Sequence, residues 1–555
     1  MKNLIESILI IGLLLSFSII SIADDENNQS ENKNNYIEYV PHDPISIQSD
    51  EDFTIENGVT SGNGTENNPY IIEGLEVEEI FICGNIEKIS KYFEINNCKI
   101  NGRIFLRLIE DDKCKHIKNC EFVPDPKQEY GIYSGGYINN LTVENCLFFL
   151  NESTGISIGH SISMIVRNCE FYSKQVYSKI GIKVGDNSSI DNCYFYDSYV
   201  GIYTGDYNIV RNCTFINSKD EGIVIRGNYN LIEDCTFIDE SMGIEISTEI
   251  NNATIKNCTF LNNFCAIASF VMNEDYKYSS DHIIENCEFK NCSRVIDIWQ
   301  SQRITVRDCV FKNNKGCLDE GSIILRNHYS RPQITKDCKI YNNYFLNNDY
   351  AIIIEASDSN KVVNNTFYNN YFKDNYQNVL QIDEGKLNKQ NWNIEKTLGT
   401  NIIGGPYIGG NFWEDYEGKD NDGDGIGDTP YWINEDEAKD ELPLCDNTPP
   451  EIKIIKPERG LYFNDLKIKN YVFKFRKPFI IGKINITIDA KDNGSGINRV
   501  EFYIDDKLIE NDITAPYSYL WDNKTIFKYK HTIKLIAYDK AGNSAIDEII
   551  VRKFL

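Results

Sequence analysis

The sequence is poor in the residues that build soft-metal and imidazole chemistry: six scattered histidines and four methionines in 555 residues. Without a close cluster of either, it offers no ready set for a soft or borderline metal. It has no C-x-x-C pair, and its seventeen cysteines are odd in number, which argues against both a disulfide framework and a zinc site. Positive charge is short as well. With 56 Lys and Arg against 83 Asp and Glu, the net charge of −27 repels nucleic acid and anionic membranes and suits cation binding or solubility. After residue 23 no apolar run is long enough to cross a bilayer, and no helical hydrophobic register competes with the pattern that follows.

What is present is repetition. "NCTF" occurs at Asn212 and Asn257, "DCTF" at Asp234, and variants surround Cys120, Cys146, Cys169, Cys193, Cys287 and Cys309, with weaker members at Cys98 and Cys338 and "NNTF" placing Asn365 in the cysteine position. The steps run from 20 to 29 residues, a period of stacked arrays. Within a unit the apolar residues alternate with period two, as in "GIVI" from Gly222 and "LIED" from Leu231, and Gly, Asn, Asp and Ser mark turns. Three short strands and three turns per unit describe one coil of a right-handed parallel β-helix with coils ~4.8 Å apart. The fold class is all-β: about 13 coils, a rod of roughly 60 Å at that spacing, followed by a second β domain.

A second column checks the register. Two residues before each cysteine stand Lys118, Glu144, Arg167, Asp191, Arg211, Glu233, Lys256, Glu285 and Arg307, alternating in sign without a break. Opposite charges across paired strands are favourable, so the alternation makes sense if consecutive units stack. In that register Cys and Phe point inward, where cysteine acts as a small buried hydrophobe. Stacked Cβ atoms ~4.8 Å apart exceed the disulfide separation of about 3.5–4.5 Å, so the column should stay reduced. Cys265, Cys292 and Cys317 suggest a shorter second column.

The start, "MKNLIESILIIGLLLSFSIISIADD", fits a secretory signal over residues 1–23 cut after Ala23, with an uncleaved anchor as the competing reading. Residues 24–52 read as an acidic flexible spacer, 53–410 as the β-helix, and 411–446 as an acidic junction. There "KDNDGDGIGD" places Asp420, Asp422 and Asp424, with Gly425 and Asp428, in the order of a calcium loop: alternate carboxylates converge on a hard cation and glycine makes the turn. Tyr431 stands where the closing Glu would be. Structural Ca2+ is expected there, a solvated acidic turn being the alternative. Residues 447–555, with longer cysteine-free strands and turns such as "DNGSG" and "DKAGN", suggest an immunoglobulin-like sandwich.

The array resembles the pectin lyase-like β-helix repeats and, more narrowly, the NosD-like branch, whose boundary motifs are similar to "GNGTENNPYIIEGLEV" and "GGNFWEDYEGKDNDGDGIGDTPY". The tail resembles Ig-like modules of exported surface proteins. The resemblance implies polysaccharide or cell-envelope partners, and for its narrower branch a periplasmic copper-processing role that the few histidines and methionines do not serve. Aligning the "GIxI" strands gives an outer column of Tyr133, Ser157, Lys183, Tyr203, Val224 and Glu245, with His160, Asp186 and Asp206 at the turn beyond and Arg226 nearby. In a lyase the aspartates would hold Ca2+ against a uronate while Lys183 or Arg226 takes a proton; in a hydrolase they would divide acid and base roles. Asp after Gly is also ordinary turn chemistry. Tyr133 and Tyr203 would offer stacking platforms and Glu245 a polar contact for a sugar. The expected function is a secreted or surface-attached structural, adhesive or saccharide-binding rod, with a polysaccharide lyase or glycoside hydrolase as the alternative.

Overall fold

A computed structural model describes residues 39–555, apart from 125–127, 151, 174–179, 270–277, 328–333, 435–437, 447, 469–475, 493–494 and 524–528, and apart from the side chains of Lys115 and His160. The expected signal, its cut after Ala23 and the first part of the spacer lie outside the described residues.

One coil illustrates the rest. Ile209–Arg211 forms a first face, Thr214–Ile216 a second and Glu221–Ile225 a third. The corners are single residues in the left-handed region: Tyr207, Asn212 and Asn217 have φ of 56°, 53° and 60°. Asn and Asp tolerate that conformation better than other non-glycine residues because their short side chains hydrogen-bond locally, which explains the asparagine richness of the repeats. Each strand pairs in parallel with its counterparts one coil before and after: Thr214–Ile216 registers Phe215 on Phe195 and then on Phe237. First-face strands make a 14-stranded sheet, and the other two faces merge into a 27-stranded one. The solenoid has about 12 turns.

Its interior is filled. Phe122, Phe148, Phe171, Phe195, Phe215, Phe237, Phe260, Phe289, Phe311, Phe345 and Phe372 stack with centroids 4.4–4.9 Å apart, and the column continues through Trp413, 4.5 Å beyond Phe372, to Tyr431, 4.5 Å further on. Beside it the ten cysteines of the repeat column, which runs from Cys98 to Cys309 and leaves out Cys114, Cys265 and Cys292, are all buried and free of disulfides. Each thiol faces the carbonyl two residues earlier, as Cys213 Sγ does at 3.2 Å from Arg211 O. A β-carbon on Gly201 would lie 2.8 Å from the Phe215 ring and 2.4 Å from the Gly222 carbonyl oxygen, so that position carries none. On the outer first face the charge column pairs in register: Arg167–Glu144 at 2.5 Å, Arg211–Asp191 at 3.3 Å, Lys256–Glu233 at 3.0 Å, and Arg307 with Glu285.

Four expectations need correction. The cysteine column does not pass to Cys338 and Asn365. Tyr344 pairs with Val310, so Asn343 lies over Cys309, and Asn370 and Asn411 follow; each asparagine Oδ1 accepts the N–H of the residue below it (3.0, 3.1 and 3.1 Å) until Asp440 receives the Asn411 N–H at 2.7 Å. Cys338, whose neighbour Lys339 pairs with Thr305, sits at the preceding corner. The period alone could not separate the two because this coil has Asn-rich motifs at both corners. Cys265, Cys292 and Cys317 do not stack either: Cys265 pairs with Met242 and Arg294, and Cys317 is exposed. Residues 40–52, expected as spacer, are built into the first coil, where Val40–Pro41 and Ile45–Ile47 pair with Leu75–Cys83. At the other end Phe412–Trp413 adds a rung on Tyr371–Lys373, beyond the expected limit at 410.

The tail is a sandwich. Glu451–Lys456, Ile484–Lys491 and Ser518–Trp521 form a three-stranded sheet against a seven-stranded one, and Ile486, Phe502, Trp521, Ile533 and Leu535 fill the space between them.

Candidate functional site

Strand pairing places the third-face outer column in register: Tyr133 on Ser157, Ser157 on Lys183, Lys183 on Tyr203, Tyr203 on Val224 and Val224 on Glu245. Lys183, Asp186 and Arg226 are exposed, while Tyr133, Tyr203, Asp206 and Glu245 are half-buried. His160 belongs to the Thr154–Ile162 strand, but its side chain lies outside the described residues.

The two tyrosines are not open platforms. Arg226 lies over the Tyr203 ring, 4.1 Å from its centroid, and Tyr133 is stacked on Tyr130 at 4.5 Å and tilted against Phe105 at 5.6 Å. The exposed aromatic pair on this side is Tyr207 and Tyr229, stacked at 4.9 Å with each about half exposed. The aspartates are engaged in a turn ladder. Asp186 Oδ1 accepts the Asp206 N–H at 2.8 Å, Asp206 Oδ1 accepts the Asn228 N–H at 2.6 Å, and Asn228 Oδ1 accepts the Asn251 N–H at 2.9 Å.

Three residues unnoticed in the sequence stand out on this face. Glu221 begins the Glu221–Ile225 strand between Val200 and Met242. Burial, then the neighbouring carboxylates of Asp220 and Glu245, push its carboxyl up to about 8, so it is mainly protonated at neutral pH and can donate a hydrogen bond. Asp297 follows Ala268 in the Lys183–Glu245 column and is fully buried. Burial raises its carboxyl, and Arg326 at 2.8 Å and Arg294 at 3.5 Å oppose that rise. Arg326 also meets Glu355 at 3.2 Å and lies 5.0 Å from the Trp299 ring centroid. A carboxylate interrupting an outer column of Val224, Ala268 and Ile324 was the available signal.

At the junction, Asp420, Asp422 and Asp424 bring one carboxylate oxygen each within 4.8 Å of one another. Asp420 anchors the turn by accepting the N–H groups of Gly423 (2.8 Å), Asp424 (3.1 Å) and Gly425 (2.7 Å), with Gly423 and Gly425 at φ of 76° and 82°. Desolvation, then the neighbouring Asp420 and Asp424 carboxylates, raise the Asp422 carboxyl, and Lys396 pairs with Asp424. Asp428 does not join this group: its carboxylate accepts the N–H and side-chain amide of Asn421. These oxygens fit a hard cation. A second triad, Asp446, Asp492 and Asp539, comes together with the tail, and residues from both triads line one cavity of about 240 Å³ that includes Asp420, Cys445, Asp446 and Ser495.

Comparison with known proteins agrees with this architecture. A model for right-handed β-helix regions matches residues 80–178 and 151–276, one for the periplasmic copper-binding protein NosD matches 275–418, and one for a bacterial Ig domain matches 477–535. The chain is a right-handed β-helix repeat protein. Solved structures similar to this β-helix protein include the Dettilon tailspike protein (13% identity, 83% of this chain and 87% of that one, TM-score 0.42) and a mannuronic acid-specific family 6 polysaccharide lyase from human gut microbiota (11%, 60% and 86%, TM-score 0.40). The fibronectin(III)-like modules of Clostridium thermocellum CbhA are matched at 24% identity over 21% of this chain and 53% of that one, TM-score 0.16. No curated protein matches the chain. Among the described residues, no helix is long and apolar enough to cross a membrane.

Proposed function

We propose that this protein is an exported, secreted or surface-attached rod that binds saccharide along its third face, with the Ig-like domain as a spacer or adhesion module. The observation that carries the reading is the succession, over four consecutive rungs, of the exposed cations Lys183 and Arg226, Glu245, a protonated Glu221 and the exposed Tyr207–Tyr229 pair. Saccharide recognition uses this mixture: charged groups and carboxyls for hydroxyls and acid groups, and an exposed aromatic ring for the apolar C–H face of the sugar. Affinity electrophoresis through neutral and acidic polysaccharides tests it. Retarded migration of the wild type, weakened at least about tenfold (1.4 kcal/mol) by Lys183→Ala with Arg226→Ala, is expected. Unretarded migration in every gel refutes saccharide binding and leaves a structural rod.

Catalysis is the second reading, favoured by Glu221, a carboxyl held protonated beside Glu245 in the manner of a general acid. New reducing or unsaturated ends from an acidic polysaccharide, lost in Glu221→Gln, would establish it. We also propose that Asp420, Asp422 and Asp424 hold Ca2+ as a structural clamp near the end of the rod. Both carboxylate triads are all-oxygen sets, which suit hard cations rather than copper.

A further inference from the structure

The three faces of the rod do not finish alike at its C-terminal end. The first face is carried one step past Thr366–Tyr368 by a bridge from Thr366 to Asn391. The second is carried past Tyr371–Lys373 by Phe412–Trp413, and then by a bridge from Phe412 to Leu444. The third face stops at Gln377–Asp383. That strand pairs with Tyr350–Ala356 along one edge, and among the described residues no strand pairs with the other. The cause is local. Where the second-face rung would run on into a third-face strand, the chain turns at Glu414–Asp415, and the Tyr416 N–H returns to the Trp413 carbonyl at 3.0 Å.

An open edge presents main-chain N–H and C=O groups as a template for another chain, and this edge is seven residues long. It is also within reach. Gln377, Gln381 and Asp383 are exposed, and Gln381 is so even though it continues the inward column above Ile354. Against the start of the strand lies a hollow of about 290 Å³, lined by Tyr376, Asn378, Val379, Trp413, Asp415 and Tyr431 among others. Val379 continues the inward column above Ile352, so an apolar side chain on an added strand would land on it. The surroundings are acidic: Asp374, Glu414 and Asp415 stand at one end of the strand, Asp383 and Glu384 at the other. The two lysines nearby already face carboxylates, Lys373 at 3.7 Å from Glu414 and Lys386 at 4.0 Å from Glu384. A second copy would bring a net charge of −27 to this end, so electrostatic complementarity favours a basic occupant from elsewhere.

We infer that the third face is completed by a partner: an extended, basic segment of another protein adds as a strand to the Gln377–Asp383 edge. Its main chain pairs with the edge, one apolar side chain enters the hollow over Val379, and its lysines or arginines meet Asp374, Asp415 and Glu384. In this mode main-chain hydrogen bonds give the affinity and alternate side-chain contacts the selectivity. The edge lies many rungs beyond Lys183, so the inference stands apart from saccharide binding.

The test titrates the full chain with a seven-residue peptide of alternating lysine and valine and follows amide hydrogen exchange. Expected are saturable binding and exchange slowed at least about tenfold (1.4 kcal/mol) at alternate amides of Gln377–Asp383, with the Lys183 strand unchanged. The same peptide with every main-chain nitrogen methylated keeps its charge and should lose the protection. Asp374→Lys with Glu384→Lys, both at exposed positions, should weaken binding at least about tenfold. Absence of binding would overturn the proposal, and so would binding that leaves exchange in Gln377–Asp383 unchanged, which is charge attraction alone. Protection of these amides without peptide, growing with protein concentration, would give the edge to a second copy and overturn it too. The two peptides on wild-type protein decide the matter whether or not the double variant folds.

Discussion

Glu240→Gln should make the protein's stability less dependent on pH, by an amount that can be worked from where the side chain lies. Glu240 is buried just before the Met242–Ile246 strand, and burial pushes its carboxyl from 4.5 to about 8 despite hydrogen bonds from the Ser218 hydroxyl and N–H. The folded chain therefore keeps a proton that the unfolded chain releases above pH 4.5. Stability falls where the native state binds more protons, so this group lowers it steadily from pH 4.5 to about pH 8 and no further. At about 1.4 kcal/mol per pH unit, the fall reaches about 5 kcal/mol across that window. Glutamine has the same shape, accepts the Ser218 N–H with its oxygen and carries no titration. The variant should match the wild type near pH 4.5 and exceed it increasingly towards pH 8, with the difference flat above. Because stacked repeats need not unfold in one step, thermal midpoints should be paired with exchange of the Ser218 amide, comparing both proteins at each pH. A wild-type-to-variant difference that is the same at pH 4.5 and pH 8 would refute the argument, since it would mean that Glu240 keeps its ordinary acidity in the fold.

The thiols should divide sharply: native protein should expose Cys317 fully and Cys83 in part to a thiol reagent, and denatured protein all seventeen. Fewer thiols after denaturation would reveal disulfides. Phe237→Ala removes one ring from the stack between Phe215 and Phe260 and should cost about 3–5 kcal/mol, read as lost exchange protection centred on its coil. Glu233→Lys sets a third cation between Arg211 and Lys256; these pairs are only part-buried, so the loss should be about 1 kcal/mol per neighbour at most and should shrink in high salt. Added Ca2+ should raise the melting midpoint, and Asp422→Asn should abolish most of the rise; an unchanged midpoint would remove the clamp.

The coil was legible because two patterns with different physical origins had to agree. Cysteine and phenylalanine recur where inner volume is fixed, and charges alternate where outer strands lie beside each other; no other stacking satisfies both. Legibility failed where one residue type serves two positions. Asparagine is at once the corner residue that accepts a positive φ and an inward amide that can replace cysteine, so "NNYF" at Asn342 and "NNTF" at Asn364 could not be told apart by composition. The third-face column was aligned from sequence, yet the fate of its tyrosines was not, because whether a ring face is open depends on what Arg226 and Tyr130 do above it.

The same distinction explains why the fold speaks more clearly than the site. Every inward position is constrained by neighbours on both adjacent coils, so a wrong residue there costs stability and the pattern repeats. Outward positions away from the charge column are constrained less by their neighbours and vary from coil to coil. The outward residues worth pursuing are therefore those that impose a cost without repairing the stack. Glu221 is one: its predecessor in the column is Val200, its successor Met242, and a carboxyl there must give up its charge to be buried. Asp297, which stands between Ala268 and Ile324 and needs two arginines, is the other. A rod required only to stand has no use for either expense, and their place on one face is the physical reason to look for a ligand there.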